Sequence, residues 1–142
     1  MEPQRRRARR GNAEELNALT QSIIAAAIEV HRHLGPGLLE SVYEVCLEHE
    51  LILRGHSVER QKPLPVSYKG VRVDVGFRTD LLVDERVIVE VKATKGFHPI
   101  HAAKTLNYIK LTDLAVGLLL NFHVEVMKDG IKRLVNHFPD SA

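Results

Sequence analysis

The chain of 142 residues contains one cysteine, Cys46. A single thiol excludes an internal disulfide framework and the paired spacing of a zinc finger, so a reducing, cytoplasmic setting is expected. No apolar run approaches the ~20 residues that a membrane-spanning helix needs, and membrane association is not expected. The first residues lack the apolar core of a secretory signal, so none is expected. There is no glycine-rich phosphate loop and no serine or cysteine nucleophile motif, which leaves P-loop and covalent hydrolase chemistry without a sequence basis. Internal repeats are absent, as is any sign of a second domain.

What is present suits one compact domain. Hydrophobic residues make up 44% of the chain and charged residues 27%, enough for a real core under a solvated surface. The formal net charge of +2 is unevenly placed. Residues 1–10 hold five of the 20 basic residues (Arg5, Arg6, Arg7, Arg9, Arg10) and one of the 18 acids, leaving 15 basic and 17 acidic residues behind them. Such a run predicts a disordered Arg-rich tail over residues 1–12, ahead of one domain over 13–142. The tail reads as a solvated extension, with phosphate binding as the alternative.

Hydrophobic period predicts the elements. Asn12 and Glu15 form a candidate capping box, although the periodic signal strengthens only near Thr20. Ile23, Ile24, Ala27, Ile28, His31 and Leu34 recur at helical spacing until Gly35-Pro36-Gly37 stops the helix. A second helix is predicted from about Leu38 to Arg54, with Val42, Val45, Cys46, His49 and Leu53 as its apolar stripe. The period then changes to two. Residues 57–68, interrupted by Pro63 and Pro65, predict an edge strand. Val71, Val73, Val75 and Phe77 predict a half-buried strand. A third helix is expected from after His98-Pro99 to about Thr112. Ala115 to Phe122 is a nearly all-apolar run, as in a central strand covered on both faces. Val124–Met127 and Ile131–Val135 flank Lys128-Asp129-Gly130, which predicts a final hairpin.

The chemistry concentrates between Asp80 and Lys92. Two short apolar runs, Leu81–Val83 and Val87–Val89, flank Asp84-Glu85-Arg86, which predicts a hairpin with Val83 opposite Val87 and Asp80 opposite Glu90. Alternation then places Asp80, Leu82, Ile88, Glu90 and Lys92 on one face, and Leu81, Val83, Val87, Val89 and Val91 on the other. Opposed acids repel unless a cation or a proton lies between them, so local cost conflicts with pattern, as at functional sites. Two carboxylates able to hold a divalent cation, with an ammonium beside them, suit phosphodiester hydrolysis. A Glu-x-Lys on a strand is otherwise most often a solvated face. Glu40, in the first turn of the second helix, is favoured there by the helix dipole alone, and Tyr43 shares its face. Lys104 and Tyr108 share a face of the third helix, and His98 and His101 stand near them as further phosphate contacts. Cys46 is expected in the core.

Several of these segments together resemble a known family. Gly37-Leu-Leu-Glu40-Ser-Val-Tyr43 has the form GxxExxY. With Ile28–Gly37, Asp80-Leu-Leu-Val, Val89-Glu-Val-Lys-Ala93, Leu106-Asn-Tyr108 and Gly130–Val135, it is similar to the bacterial GxxExxY proteins of the PD-(D/E)XK nuclease superfamily, over roughly residues 17–136. The resemblance implies an α/β (α+β) restriction-endonuclease-like core, a mixed four-stranded sheet with helices on both sides. It implies that Glu40, Asp80, Glu90 and Lys92 are catalytic. Mg²⁺ or Mn²⁺ is then expected on Asp80, Glu90 and the Val91 carbonyl, with Glu40 holding a second ion or a bound water. Tyr43, His101, Lys104 and Tyr108 are the expected substrate contacts. One departure is visible: the family's third helix carries Gln four residues before the Tyr, and this chain has Lys104. The expected activity is metal-dependent hydrolysis of nucleic acid, DNA first. The alternatives are an inactive nucleic-acid-binding module, or a protein-interaction module marked by a stable complex or homo-oligomer without nucleic acid.

Overall fold

In a computed structural model the chain is described over residues 11–140, and the arginines of the expected tail lie outside them. Asn12 caps helix α1 (Ala13–Leu34). Its side chain accepts from the Glu15 amide at 2.8 Å and donates to Glu15 Oε1 at 2.6 Å. The helix therefore begins at the capping pair and not near Thr20. Gly35, with φ of 69°, ends it.

Helix α2 (Glu40–Leu53) buries Tyr43, Glu44, Leu47 and Leu51. The expected stripe is turned: Val45 is 46% exposed and Leu53 68%, and on α1 Ile28 is 43% exposed. Apolar residues surround α2 on most sides, so period alone did not choose the face. The large Tyr43, Leu47 and Leu51, four apart, win the contact with the sheet.

The sheet has five strands in the order β1-β2-β3-β4-β5. They are β1 (Val58–Tyr68), β2 (Val71–Val83), β3 (Val87–Lys92), β4 (Val116–Asn121) and β5 (Ile131–Val135). Only β3 and β4 run parallel; the remaining neighbours are antiparallel. Helix α3 (Pro99–Leu111) makes the crossover between β3 and β4. One face of the sheet packs Leu81, Val83, Val87, Val89 and Val91 against α1 and α2. The other packs Leu82 and Ile88 against Ile109 of α3. At Gly117 a Cβ would stand 2.9 Å from the Ile109 side chain, so the missing side chain lets α3 sit close on β4. The result is the α+β layering expected, a mixed sheet with helices on both faces.

Three details differ from expectation. The sheet has a fifth strand beyond the four implied. Val71 to Val83 is one continuous strand, with Val71 exposed. Val124–Met127 is not a strand: β5 pairs directly with β4, and Met127–Gly130 forms a 3-10 turn over the sheet end. Val124 packs against the core instead, its carbonyl bonded to the buried His31 ring at 2.7 Å, while His123, Glu125 and Val126 stay exposed.

Candidate active site

The predicted hairpin register is observed: Val83 pairs with Val87, Leu82 with Ile88 and Leu81 with Val89. The turn is built on Asp84 and Glu85, both left-handed at φ of 52° and 57°. Backbone pairing stops one step before Asp80 and Glu90. There the side chains replace the ladder. The Asp80 amide donates to Glu90 Oε2 at 2.8 Å, and the Val91 amide donates to Asp80 Oδ2 at 2.8 Å. Each acid is thus held by backbone of the opposite strand.

Glu90 is buried and also accepts from the Thr79 hydroxyl at 3.0 Å. Burial, then the neighbouring Asp80 charge, pushes its carboxyl up to about 7, against the pull of its hydrogen bonds and Lys92. Tyr108 on α3 is raised as well, by burial and then by the Glu90 and Asp80 charges. Its ring stacks on Phe77 of β2 at 3.8 Å.

Two residues absent from the sequence-based set complete the cluster. Glu44, one turn after Glu40 on α2, is buried, and burial raises its carboxyl. Gln61 of β1 donates its amide to Glu44 Oε1 at 2.5 Å and to Asp80 Oδ1 at 3.2 Å. Gln61 stands opposite Asp80 with a left-handed φ of 54°, between the paired positions Arg60 and Lys62. A non-glycine residue held there costs about 1 kcal/mol or more and is retained where its side chain has to be aimed. The i, i+4 spacing from Glu40 was the available signal for Glu44. Nothing local in β1 marks Gln61.

Glu40 lies at the start of α2, 3.7 Å from Lys92 Nζ, and both are partly exposed. Together Glu40, Ser41, Glu44, Gln61, Asp80 and Val91 line a cleft of about 220 Å³. Tyr43 is not in it. It is fully buried and stacked on Phe122 at 4.6 Å. Its hydroxyl accepts from the Leu38 amide and donates to the Gly35 carbonyl. The expected substrate contact at Tyr43 is therefore corrected: the residue anchors the loop that leads to Glu40. Gly37 in that loop has φ of 97°, which explains the glycine.

The loop after β3 is pinned by the buried Asn121, whose amide donates to the Thr94 and Gly96 carbonyls and accepts from Thr94 and His123. This fixes the chain leaving Lys92. His101 sits in the first turn of α3, its ring 5.7 Å from that of His98. Burial, then the nearby Lys92, His98 and Lys104, lower its proton affinity. Lys104 is exposed.

The model for the PD-(D/E)XK nuclease superfamily matches residues 17–134. The chain belongs to the PD-(D/E)XK nuclease superfamily. No curated protein and no solved structure matches it at a significant level. The observed sheet and helices agree with the restriction-endonuclease-like fold of the PD-(D/E)XK superfamily. Membership suggests nuclease activity on nucleic acid, and PD-(D/E)XK nucleases generally use divalent metal ions. No helix among the described residues is long and apolar enough to cross a membrane.

The donor set fits such an ion in a limited way. Asp80 and Glu90 are adjacent acids whose mutual repulsion a divalent cation would relieve. Among the described residues, no three His, Cys, Asp or Glu side chains converge to cage a metal. Glu40 leans on Lys92 instead. Two carboxylates with retained waters suit Mg²⁺, which rarely takes an all-protein cage.

Proposed function

We propose that the protein is a Mg²⁺- or Mn²⁺-dependent nuclease acting on DNA, of the GxxExxY type within its superfamily. The observation that carries the reading is the Asp80–Glu90 pair: two opposed acids, each fixed by the other strand's backbone, one with its proton affinity raised to about 7. Asp80, Glu90 and the Val91 carbonyl would hold the ion, with Glu40 at its edge. Bound there, the ion supplies Lewis acidity and a lowered pKa for water.

The chain's own residues do the rest. Lys92 offers an ammonium to the attacking water or to the charge growing on the phosphoryl oxygens. Glu40, at 3.7 Å, limits where that ammonium swings. Gln61 fixes Asp80 from β1, leaving its other oxygen on the Val91 amide. His101, Lys104 and the Tyr108 hydroxyl, all on α3, face the incoming phosphate backbone.

The test is cleavage of single- and double-stranded DNA with Mg²⁺ or Mn²⁺, comparing wild type with Lys92→Ala. A loss of ~10²–10³ in rate is expected, the usual effect of removing a preorganised charge-stabilising group. Unchanged activity sinks the proposal. The inactive-module reading has one observation in its favour, the lack of a three-ligand cluster among the described residues. Salt-dependent DNA binding with no cleavage and no metal uptake would select it.

A further inference from the structure

The sheet carries an arm that the site does not use. β2 pairs with β3 only through Leu81–Val83, and β3 ends at Lys92. Beyond that point β1 and β2 continue as a two-stranded ribbon to the Tyr68–Val71 tip. A strand rises about 3.3 Å per residue, so the tip stands roughly 30 Å along β2 from Asp80. The ribbon leaves the sheet at the end where Lys92 lies. Its base is packed on α3 through the Phe77–Tyr108 stack.

Charge separates this arm from the body. Outside residues 1–10 the chain has 15 basic and 17 acidic residues. Residues 62–79 hold four of those bases (Lys62, Lys69, Arg72, Arg78) and one acid, Asp74, leaving 11 and 16 elsewhere. Lys69, Arg72 and Arg78 are exposed. Arg72 is paired only with the equally exposed Asp74, a contact of little net strength. Among the described residues neither Lys69 nor Arg78 joins a salt bridge. A cationic ribbon on an acidic body is the wrong surface for a basic partner and the right one for a polyanion. Its two-stranded form has the width that a duplex groove admits. The exposed Tyr68 and Val71 (62% and 61%) add contact area at the tip.

From this we infer that the β1–β2 arm is a grip for a nucleic-acid duplex, contacting the phosphate backbone on one side of the candidate site through Lys69, Arg72 and Arg78. The inference rests on the nuclease reading for its ligand class and names the surface that holds the duplex. It predicts backbone contacts that position without reading sequence.

The test is fluorescence anisotropy of the full chain with a short DNA duplex in EDTA, so that binding is read without cleavage, over a salt series. A variant carrying Lys69→Gln, Arg72→Gln and Arg78→Gln is compared with one carrying Lys110→Gln, Lys128→Gln and Lys132→Gln, the same charge change off the arm. The arm variant should bind at least about tenfold more weakly and lose about 2–3 from the salt slope, roughly 0.9 per phosphate contact. Arg78→Gln alone, the check if the triple fails to fold, should lose about 1 from the slope. Equal losses in both triples, or none in the arm variant, overturn the inference. An RNA duplex run in parallel separates the two sources of this backbone; arm-dependent binding to either supports the grip. Cleavage is scored separately. Arm-dependent binding without cleavage leaves the grip standing and removes the hydrolytic reading. Cleavage with arm-independent binding does the reverse.

Discussion

At the scale of single residues, Glu90 is the position where folding and chemistry conflict. Its carboxyl is raised from an ordinary 4.5 to about 7. The native state then keeps a proton that the unfolded chain has already released. Stability in EDTA is therefore highest below about pH 4.5 as far as this group is concerned, and falls as pH rises through 7. The full loss is up to about 3 kcal/mol, from a shift of this size at 1.36 kcal/mol per unit. Urea denaturation between pH 5 and pH 8 should show that decline, and Glu90→Gln should flatten it. A slope unchanged in the variant would assign the decline to another group. Asp80, Glu90 and Lys92 were legible in the sequence because period two and a short turn fix faces without any tertiary knowledge. Gln61 was not, since its role depends on a left-handed backbone that nothing beside it encodes.

Among the elements, α2 does the most to shape the site. The Tyr43 hydroxyl ties the Gly35 carbonyl and the Leu38 amide together, and the buried ring rests on Phe122. Glu40 follows directly from that loop. Tyr43→Phe keeps the ring and leaves two backbone groups short of a partner. It should cost about 0.5–1.5 kcal/mol in denaturation, the usual net worth of a hydrogen bond where water can reach the freed groups. Activity should fall with it, because Glu40 loses its fixed start. A variant as stable as wild type would show that water replaces the hydroxyl. The existence and order of the main elements could be read from period and from Gly-Pro punctuation. The inward face of α2 could not, because its stripe of valines and its stripe of larger residues are both helical in period. The last hairpin failed for a related reason. Lys128-Asp129-Gly130 has turn chemistry, but Val124 and Met127 are drawn into packing against α1 and the sheet end.

For the whole molecule, an ion at the proposed site would link metal, proton and fold. An ion held by Asp80 and Glu90 has to displace the Glu90 proton below pH 7, so binding should tighten as pH rises. Mn²⁺ or Mg²⁺ at 100 times its dissociation constant should stabilise the fold by about 2.7 kcal/mol. The melting temperature at pH 8 should rise with added ion, while at pH 5 the same concentration should do much less. Asp80→Asn with an undiminished shift would remove the ion from this site. The layering of helices over both sheet faces was implied by the family resemblance and by the apolar run at β4. The arm was hidden: sequence alone cut β2 into two strands, which concealed its continuity beyond β3.

The pinning of Lys92 has a consequence for the order in which the chain is made. Glu40, Gln61, Asp80, Glu90 and Lys92 all precede residue 93, but the groups that hold them rigid come later. Val116–Asn121 forms the strand beside β3, Phe122 supports Tyr43, and Asn121 fixes the loop after Lys92. A nascent chain thus carries the acids and Lys92 of the proposed site before it can preorganise them. Preorganisation of the proposed site then waits for residues 116–122, so a chain cut before them should hold its acids and Lys92 without a rigid geometry.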